Sequence, residues 1–326
     1  LETMGAYLIG RVMIRDAASF QAFVRTFVLI VVALLPIAIV EALTTRRLLS
    51  ELFSKFGPVL NNVVMDRRLG LDRVQGPFEH PILFGMFCSA ALALAWFLLP
   101  QRGGAGPRAA NSLAVIGSTF LSLSTGSYVS LAMQMSAIAW GRFATFLRRK
   151  WNALGMAFAA LYVLIDLLSN RTPVLVFIHY LTFNTGSAYN RVLIWQFGTA
   201  SVAKHPFLGI GFREWDRPAW MHSASTDNFW LLMAIRHGWP GFLLIAAATF
   251  FLFRTLGRLH PVDPLVARQR NALLTSLFGL CVAICTVHLW GATFAFFMFL
   301  LGSGMWMADA PAHPRGSVPG GGDGRA

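Results

Sequence analysis

Two polar stretches hold the residue types that chemistry on a phosphate-bearing substrate would need. The longer one contains Asn190-Arg191-Val-Leu-Ile-Trp195, then Lys204-His205-Pro206-Phe-Leu-Gly209-Ile-Gly211-Phe-Arg213, then His222, and then Asp227-Asn228-Phe-Trp-Leu231. The shorter one closes on Arg73-Val-Gln-Gly76-Pro-Phe78-Glu79-His80-Pro81. A planar, permanently charged guanidinium suits an anionic ligand such as a diphosphate. Fixed cations aimed at a departing diphosphate lower the barrier to its departure. Arg191 is the candidate clamp, with Arg73, Lys204 and Arg213 as supporting cations. Asp227 and His222 are the candidate proton acceptors. His80, Trp195, His205 and Asn228 complete the candidate substrate contacts.

Each of these residues also has a plainer reading. Arg191 lies four positions before Trp195, so the two share a helical face and could stack. If Ser187 to Asn190 opens an amphipathic helix running to Ala203, Arg191 sits near its positive end, where anions bind well. Pro206 stops that helix. Gly209 and Gly211 form a turn with no preceding strand, which speaks against a dinucleotide loop. Asp227 precedes a helical run, Asn228 to Arg236, and is one of several candidate N-caps. Arg73 and His80 stand just before a membrane helix and could anchor at the interface. Glu214 and Asp216 bracket Trp215, too weak a pattern for a divalent ion, and no metal or cofactor is expected.

The elements that must hold these residues follow from composition. Hydrophobic residues make up 56% of the chain, charged residues 13%, and mean hydropathy is +0.59, against roughly 45–50% and about 25% for soluble globular chains. The apolar residues come in runs of about twenty, the length that crosses a hydrocarbon core, not in the short alternating segments of a β-barrel. The sequence therefore predicts an all-α, polytopic transmembrane helix bundle with a large, partly helical loop. Cys88, Cys281 and Cys285 all lie in apolar runs, where a thiol acts as a small hydrophobe.

The predicted spans are Phe27 to Leu43, Pro81 to Leu99, a helical hairpin within Asn111 to Gly141, Ala153 to Leu168, Gly241 to Phe253, Ala272 to Trp290, and Thr293 to Met307. Asn111 to Gly141 is too long for one untilted span and is interrupted at Ser122-Leu-Ser-Thr-Gly126-Ser. Splitting it puts three short basic loops on one side, at Arg102/Arg108, at Arg142 to Lys150, and at Arg254 to Arg270. The positive-inside rule makes that side cytoplasmic and turns the two long loops toward the periplasm. The expected divisions are an end of a truncated N-terminal helix with a basic stretch (1–24), transmembrane helices with a first periplasmic loop at 44–80 (25–168), a large periplasmic loop carrying the site (169–239), C-terminal transmembrane helices (240–307) and a disordered Pro- and Gly-rich tail (308–326). Asp166 lies inside an otherwise apolar span, close to its outer end, and is expected to pair with Arg171.

In this order, Arg191-x-x-x-Trp195, His205-Pro206-x-x-Gly209-x-Gly211, Asp227-Asn228-x-x-Leu231 and Gly238-Trp-Pro-Gly241 resemble the signature of the O-antigen ligase and polysaccharide polymerase family of integral membrane proteins. Arg73-x-x-Gly76-x-Phe78-x-His80-Pro81 is similar to that family's first-loop pattern, and the resemblance extends from about Arg25 to Met307. The departure is Asp227, where most members have histidine; His222 lies five residues earlier. The resemblance implies a metal-independent glycosyltransferase of the bacterial inner membrane. It would move a glycan from undecaprenyl diphosphate to an acceptor hydroxyl, which belongs to another lipid-linked glycan in a polymerase and to the lipid A core in a ligase. The polymerase is preferred because the histidine position is changed. Partners implied are these glycans, membrane lipid, and chain-length or export proteins, with no nucleic acid. A lipid-linked oligosaccharide transporter and a non-catalytic export subunit are the alternatives. Against the transporter, the chain shows no internal repeat and, apart from Asp166, its charges sit in loops.

Overall fold

The computed structural model describes residues 2–44, 46–58, 67–99, 105–144, 150–169, 176, 185–221 and 225–309, and every structural statement concerns these. Among them the chain is all-α. The helices are α1 Glu2–Met13, α2 Ala17–Thr44, α3 Leu48–Phe53, α4 Pro81–Ser89, α5 Ala91–Leu98, α6 Ala105–Leu121, α7 Thr125–Phe143, α8 Lys150–Leu168, α9 Thr185–Lys204, α10 Phe229–Arg258, α11 Pro264–Ala283, α12 Gly291–Ser303 and α13 Trp306–Asp309. By length and composition, five stretches can cross a membrane: Ala17–Thr44, Pro81–Leu98, Trp151–Leu168, Phe229–Arg258 and Gly291–Asp309.

Helices α6, α7 and α11 are less apolar because they bury polar side chains against the centre of the bundle. Pro81–Leu98 is one span broken at Ala90, and its neighbours satisfy the polar groups around the break. Gln134 Nε2 donates to the Ser89 carbonyl (2.8 Å), Gln134 Oε1 accepts from the Ala93 amide (3.0 Å), and Ser276 Oγ donates to the Ala90 carbonyl (2.7 Å). Side chains that substitute for ladder partners are a recognised cause of such breaks. Gly85 and Gly279 leave room for this polar seam: a Cβ on Gly85 would meet Ser127 Oγ at 2.6 Å, and one on Gly279 would meet the Ser130 carbonyl at 2.7 Å.

The expected hairpin is present. Helix α6 ends at Leu121, Leu123 takes a left-handed φ of 45°, and α7 begins at Thr125. Arg108 lies over the Trp96 ring (3.7 Å) and Gly85 lies beside Ser122, so α6 runs antiparallel to α4 and α5. Ser89 bonds Ser130 and Ala93 bonds Gln134, so α7 runs parallel to them.

These pairings define two ends of the bundle. At one end Gln21 Nε2 reaches the Leu98 carbonyl (2.8 Å), Gln269 Nε2 reaches the Ala17 carbonyl (2.8 Å), Arg270 bonds the Leu259 carbonyl, and Arg11 pairs with Asp309. Arg108 and Arg142 belong to this basic end and lie within electrostatic reach of each other. At the opposite end the Asp72 amide donates to the Ala42 carbonyl (3.2 Å), the Val74 amide to the Leu121 carbonyl (3.1 Å), and the Phe229 amide to the Ile284 carbonyl (2.9 Å). Both long polar stretches therefore meet at this second end.

One span differs from expectation. Residues 272–290 do not form one span: α11 begins earlier, at Pro264, with Asp263 as its N-cap (Oδ1 to the Leu265 amide, 2.7 Å), and ends at Ala283. Residues 284–290 are a loop, and the next helix starts at Gly291, whose φ of 52° suits glycine. Helix α10, Phe229–Arg258, is broken at Gly238 (φ 66°, ψ −173°), so a second helical run begins within the Gly238-Trp-Pro-Gly241 motif, close to the expected start at Gly241. Helix α8 is exposed along nearly its whole length, as a lipid-facing helix would be, and carries Asp166 on its exposed surface. Its expected partner Arg171, like the tail after Asp309, lies outside the described residues.

Candidate functional site

The second end of the bundle gathers residues from five parts of the chain. Arg68 comes from a turn whose backbone passes through left-handed Leu69 and Gly70, and its Nη1 donates to the Leu123 carbonyl in the hairpin tip (2.9 Å). Arg73 and His80 come from the segment before α4. Buried Glu41 of α2 holds that segment, Oε1 accepting from the Gln75 amide (3.0 Å) and the Gly76 amide (3.4 Å). Arg191 comes from α9, Asp227 from the residue before the α10 cap, and His288 from the loop after α11.

Mutual electrostatic influence shows which of these face one another. His80 feels Arg73, Asp227, Arg68 and His288; Arg191 feels Asp227 and Arg68; His288 feels Asp227 and Arg236. The Tyr128 hydroxyl of α7, which donates to the Phe120 carbonyl (2.7 Å), lies in the field of Arg68 and Arg73. One carboxylate, Asp227, thus lies within electrostatic reach of Arg191, His80 and His288, and Arg68 and Arg73 act on the same group of residues.

Burial sets the protonation states. Burial first, then Arg68, pushes the Arg191 guanidinium below its ordinary value, while Asp227 opposes. A guanidinium stays charged nonetheless, so Arg191 is a cation held out of bulk water. Burial is also the leading cause for His80, pushed down to about 4 with help from Arg73, Arg68 and His288 against Asp227. His288 is pushed down to about 4 by burial and Arg236, again against Asp227. Both imidazoles are neutral at neutral pH. His80 Nδ1 accepts the Ile82 amide hydrogen (3.1 Å) as N-cap of α4, so the ring proton belongs on Nε2. His80 therefore offers a hydrogen-bond donor to the site.

Asp227 is not the helix cap. Asn228 has that role, its Oδ1 accepting the Leu231 amide (3.0 Å). Asp227 Oδ1 accepts from Ser225 Oγ (2.7 Å). The Phe229 amide donates to the Ile284 and Val287 carbonyls, at 2.9 and 3.1 Å. These bonds fix the start of α10 against the loop that carries His288.

Of the residues singled out from sequence, Arg73, His80, Arg191 and Asp227 come together here. Asn228 stands beside them with its side chain committed to capping. Trp195 is half-buried against the small core of Ile194, Val202, Trp215, Met221, Leu231, Ala234 and Ile235 that fastens α9 to α10. Lys204 lies thirteen residues beyond Arg191 on the same helix, about 20 Å along its axis, and pairs with Asp216 (2.8 Å). His205 and Arg213 are exposed on the loop that follows. Glu214 pairs with Arg217 (3.0 Å), so each acid beside Trp215 already has a cation. His222 lies outside the described residues. Helix α9 starts at Thr185, which puts Arg191 almost two turns in, past the first turn where the helix-end field is strong. Arg68, His288 and Tyr128 are additions from the structure. No motif marks them, and only their fold neighbours reveal them.

Residues 110–246 match a family model described as O-antigen ligase. The match contains Arg191, Asp227 and the helical hairpin, while Arg68, Arg73, His80 and His288 join from outside it. No curated protein matches the chain. The four-part signature and the family match fall on the same residues, so residues 110–246 of this helical membrane protein are similar to the O-antigen ligase family.

Proposed function

We propose that the chain transfers a glycan from undecaprenyl diphosphate to an acceptor hydroxyl, as a polysaccharide polymerase in preference to a ligase acting on the lipid A core. The observation that carries this reading is the meeting of Arg191, Arg68 and Arg73 with Asp227 at one end of the bundle. In the reaction, the bond between the anomeric carbon and the diphosphate oxygen breaks, and the acceptor oxygen bonds to that carbon. The leaving diphosphate gathers negative charge, which the three guanidiniums offset at a site where charge is poorly screened. Asp227 takes the hydroxyl proton and passes it to solvent. His80, a neutral donor through Nε2, orients an oxygen of donor or acceptor.

The polymerase preference rests on Asp227 standing where most family members have histidine. The bundle end bearing the site is assigned to the periplasmic face of the inner membrane, because the opposite end carries Arg108, Arg142, Arg254, Arg258, Arg268 and Arg270. Undecaprenyl-linked and surface glycans of a deletion strain test the reading. Loss of long chains, with single repeat units still attached to the lipid A core, is the expected result. Accumulation of long chains on undecaprenyl diphosphate would instead make the protein a ligase. An unchanged profile would overturn both.

A further inference from the structure

The guanidiniums and the acid of the site leave one flank unexplained, formed by Glu79, His288 and Trp290. The Trp290 indole N–H donates to Glu79 Oε2 (2.9 Å), joining the loop before α12 to the segment before α4 across 211 positions of sequence. His288 stacks on the Trp290 ring (4.5 Å between centroids, 28° between planes), and His80 meets the same ring edge-on (5.7 Å, 61°). Glu79 is exposed and Trp290 half-buried, so this assembly opens outward. Glu79 Oε1 has no hydrogen bond among the described residues.

An exposed bond of this kind contributes little to stability. Its chemistry differs from that of the neighbouring flank. Arg68, Arg73 and Arg191 suit a diphosphate. An indole surface beside a carboxylate and a neutral imidazole suits a neutral sugar, whose C–H face packs on the ring while its hydroxyls bond the acid and the imidazole. Asp227 lies within electrostatic reach of both Arg191 and His288.

We propose that Glu79, His288 and Trp290 form the acceptor subsite, which binds a neutral hexose of the acceptor glycan and presents its hydroxyl to Asp227. The proposal rests on the glycosyl-transfer reading above, and its test uses separate probes for the two flanks. The full chain in lipid nanodiscs is titrated with farnesyl diphosphate, and separately with a one-repeat oligosaccharide released by mild acid from the strain's own surface polysaccharide. Saturation-transfer NMR reports binding of each. Glu79→Ala and Trp290→Ala are expected to weaken oligosaccharide binding by roughly tenfold or more while leaving farnesyl diphosphate binding unchanged. Arg191→Ala is expected to do the reverse. Oligosaccharide binding at wild-type affinity in both flank variants, or none by the wild-type protein, overturns the subsite. Should Trp290→Ala lose both ligands through misfolding, Glu79→Ala, at an exposed position, decides the matter alone. Failure of the diphosphate reading shows separately, as farnesyl diphosphate binding that ignores Arg191→Ala.

Discussion

In the proposed reaction Asp227 carries the heaviest demand on any single residue, because it would serve both the diphosphate and the acceptor. With the helix cap assigned to Asn228, replacing Asp227 has no cost in capping, and the substitution becomes a clean probe of chemistry. Asp227→Asn keeps the acceptor oxygen for Ser225 and removes the negative charge. Polymer synthesis in a complemented deletion strain should fall by about two to four orders of magnitude, the range for a lost general base, with membrane levels by immunoblot unchanged. Normal polymer from this variant would move the base elsewhere, with His222 the first residue to test. Asp227→His should keep measurable activity, since the family places histidine at this position. Sequence makes Arg191 and Asp227 legible because each stands within a motif. Arg68 and His288 carry no such mark: one is a single arginine in a basic loop, the other a histidine in an apolar run. Their roles arise only when α2, the hairpin tip and the loop after α11 converge.

At the scale of elements, the α10 kink shows how local chemistry sets the position of the polar loop. Pro240 has no amide hydrogen, so the Arg236 carbonyl lacks its helical partner, and the Gly211 amide supplies one (2.9 Å). The Ile235 carbonyl likewise accepts from the Ile210 amide (2.9 Å), and the Trp239 amide turns to the Pro206 carbonyl (2.7 Å). The turn after α9 is thereby stitched to the kink, and α9 is held with Arg191 facing Asp227. Gly238 makes this geometry accessible, with φ 66° and ψ −173°, a region open to glycine and few others. A Cβ there would lie 2.6 Å from the Phe207 backbone. Gly238→Ala should therefore destabilise the protein by about 1–3 kcal/mol or more, read as a lower thermal midpoint in detergent. Gly257→Ala, where a Cβ meets nothing within 4 Å, should be neutral or slightly stabilising. Equal effects from the two would contradict the stitching. The Gly-Trp-Pro-Gly run announces the helix start that follows the break at Gly238, but the stitching of that break to the turn after α9 does not show there. It depends on hydrogen bonds from a segment some thirty residues away. The premature end of α11 is hidden for a related reason: residues 284–290 are apolar enough to read as membrane, yet are used to brace α10 and carry His288.

At the scale of the molecule, helix count and apolar runs make the bundle legible, and charge bias groups the loops into two sets. What the sequence withholds is which residues of the two long loops meet. The orientation assigned here predicts that single cysteines at Ser54 and Ser225, in a chain lacking Cys88, Cys281 and Cys285, react with a membrane-impermeant thiol reagent on intact spheroplasts, while one at Gly257 does not. The inverse pattern would place the site in the cytoplasm and remove its access to periplasmic acceptors. The proposed clamp is Arg191 with Arg68 and Arg73, which hold the diphosphate of a lipid-linked glycan while the sugar is transferred. Its most direct measurement is glycan transfer by the purified, reconstituted protein from an undecaprenyl-diphosphate-linked repeat unit, comparing the wild type with Arg191→Ala and Arg191→Lys. The account predicts near-complete loss with alanine and substantial loss with lysine, because an ammonium cannot reproduce the bidentate fork. Full transfer by Arg191→Ala would contradict it.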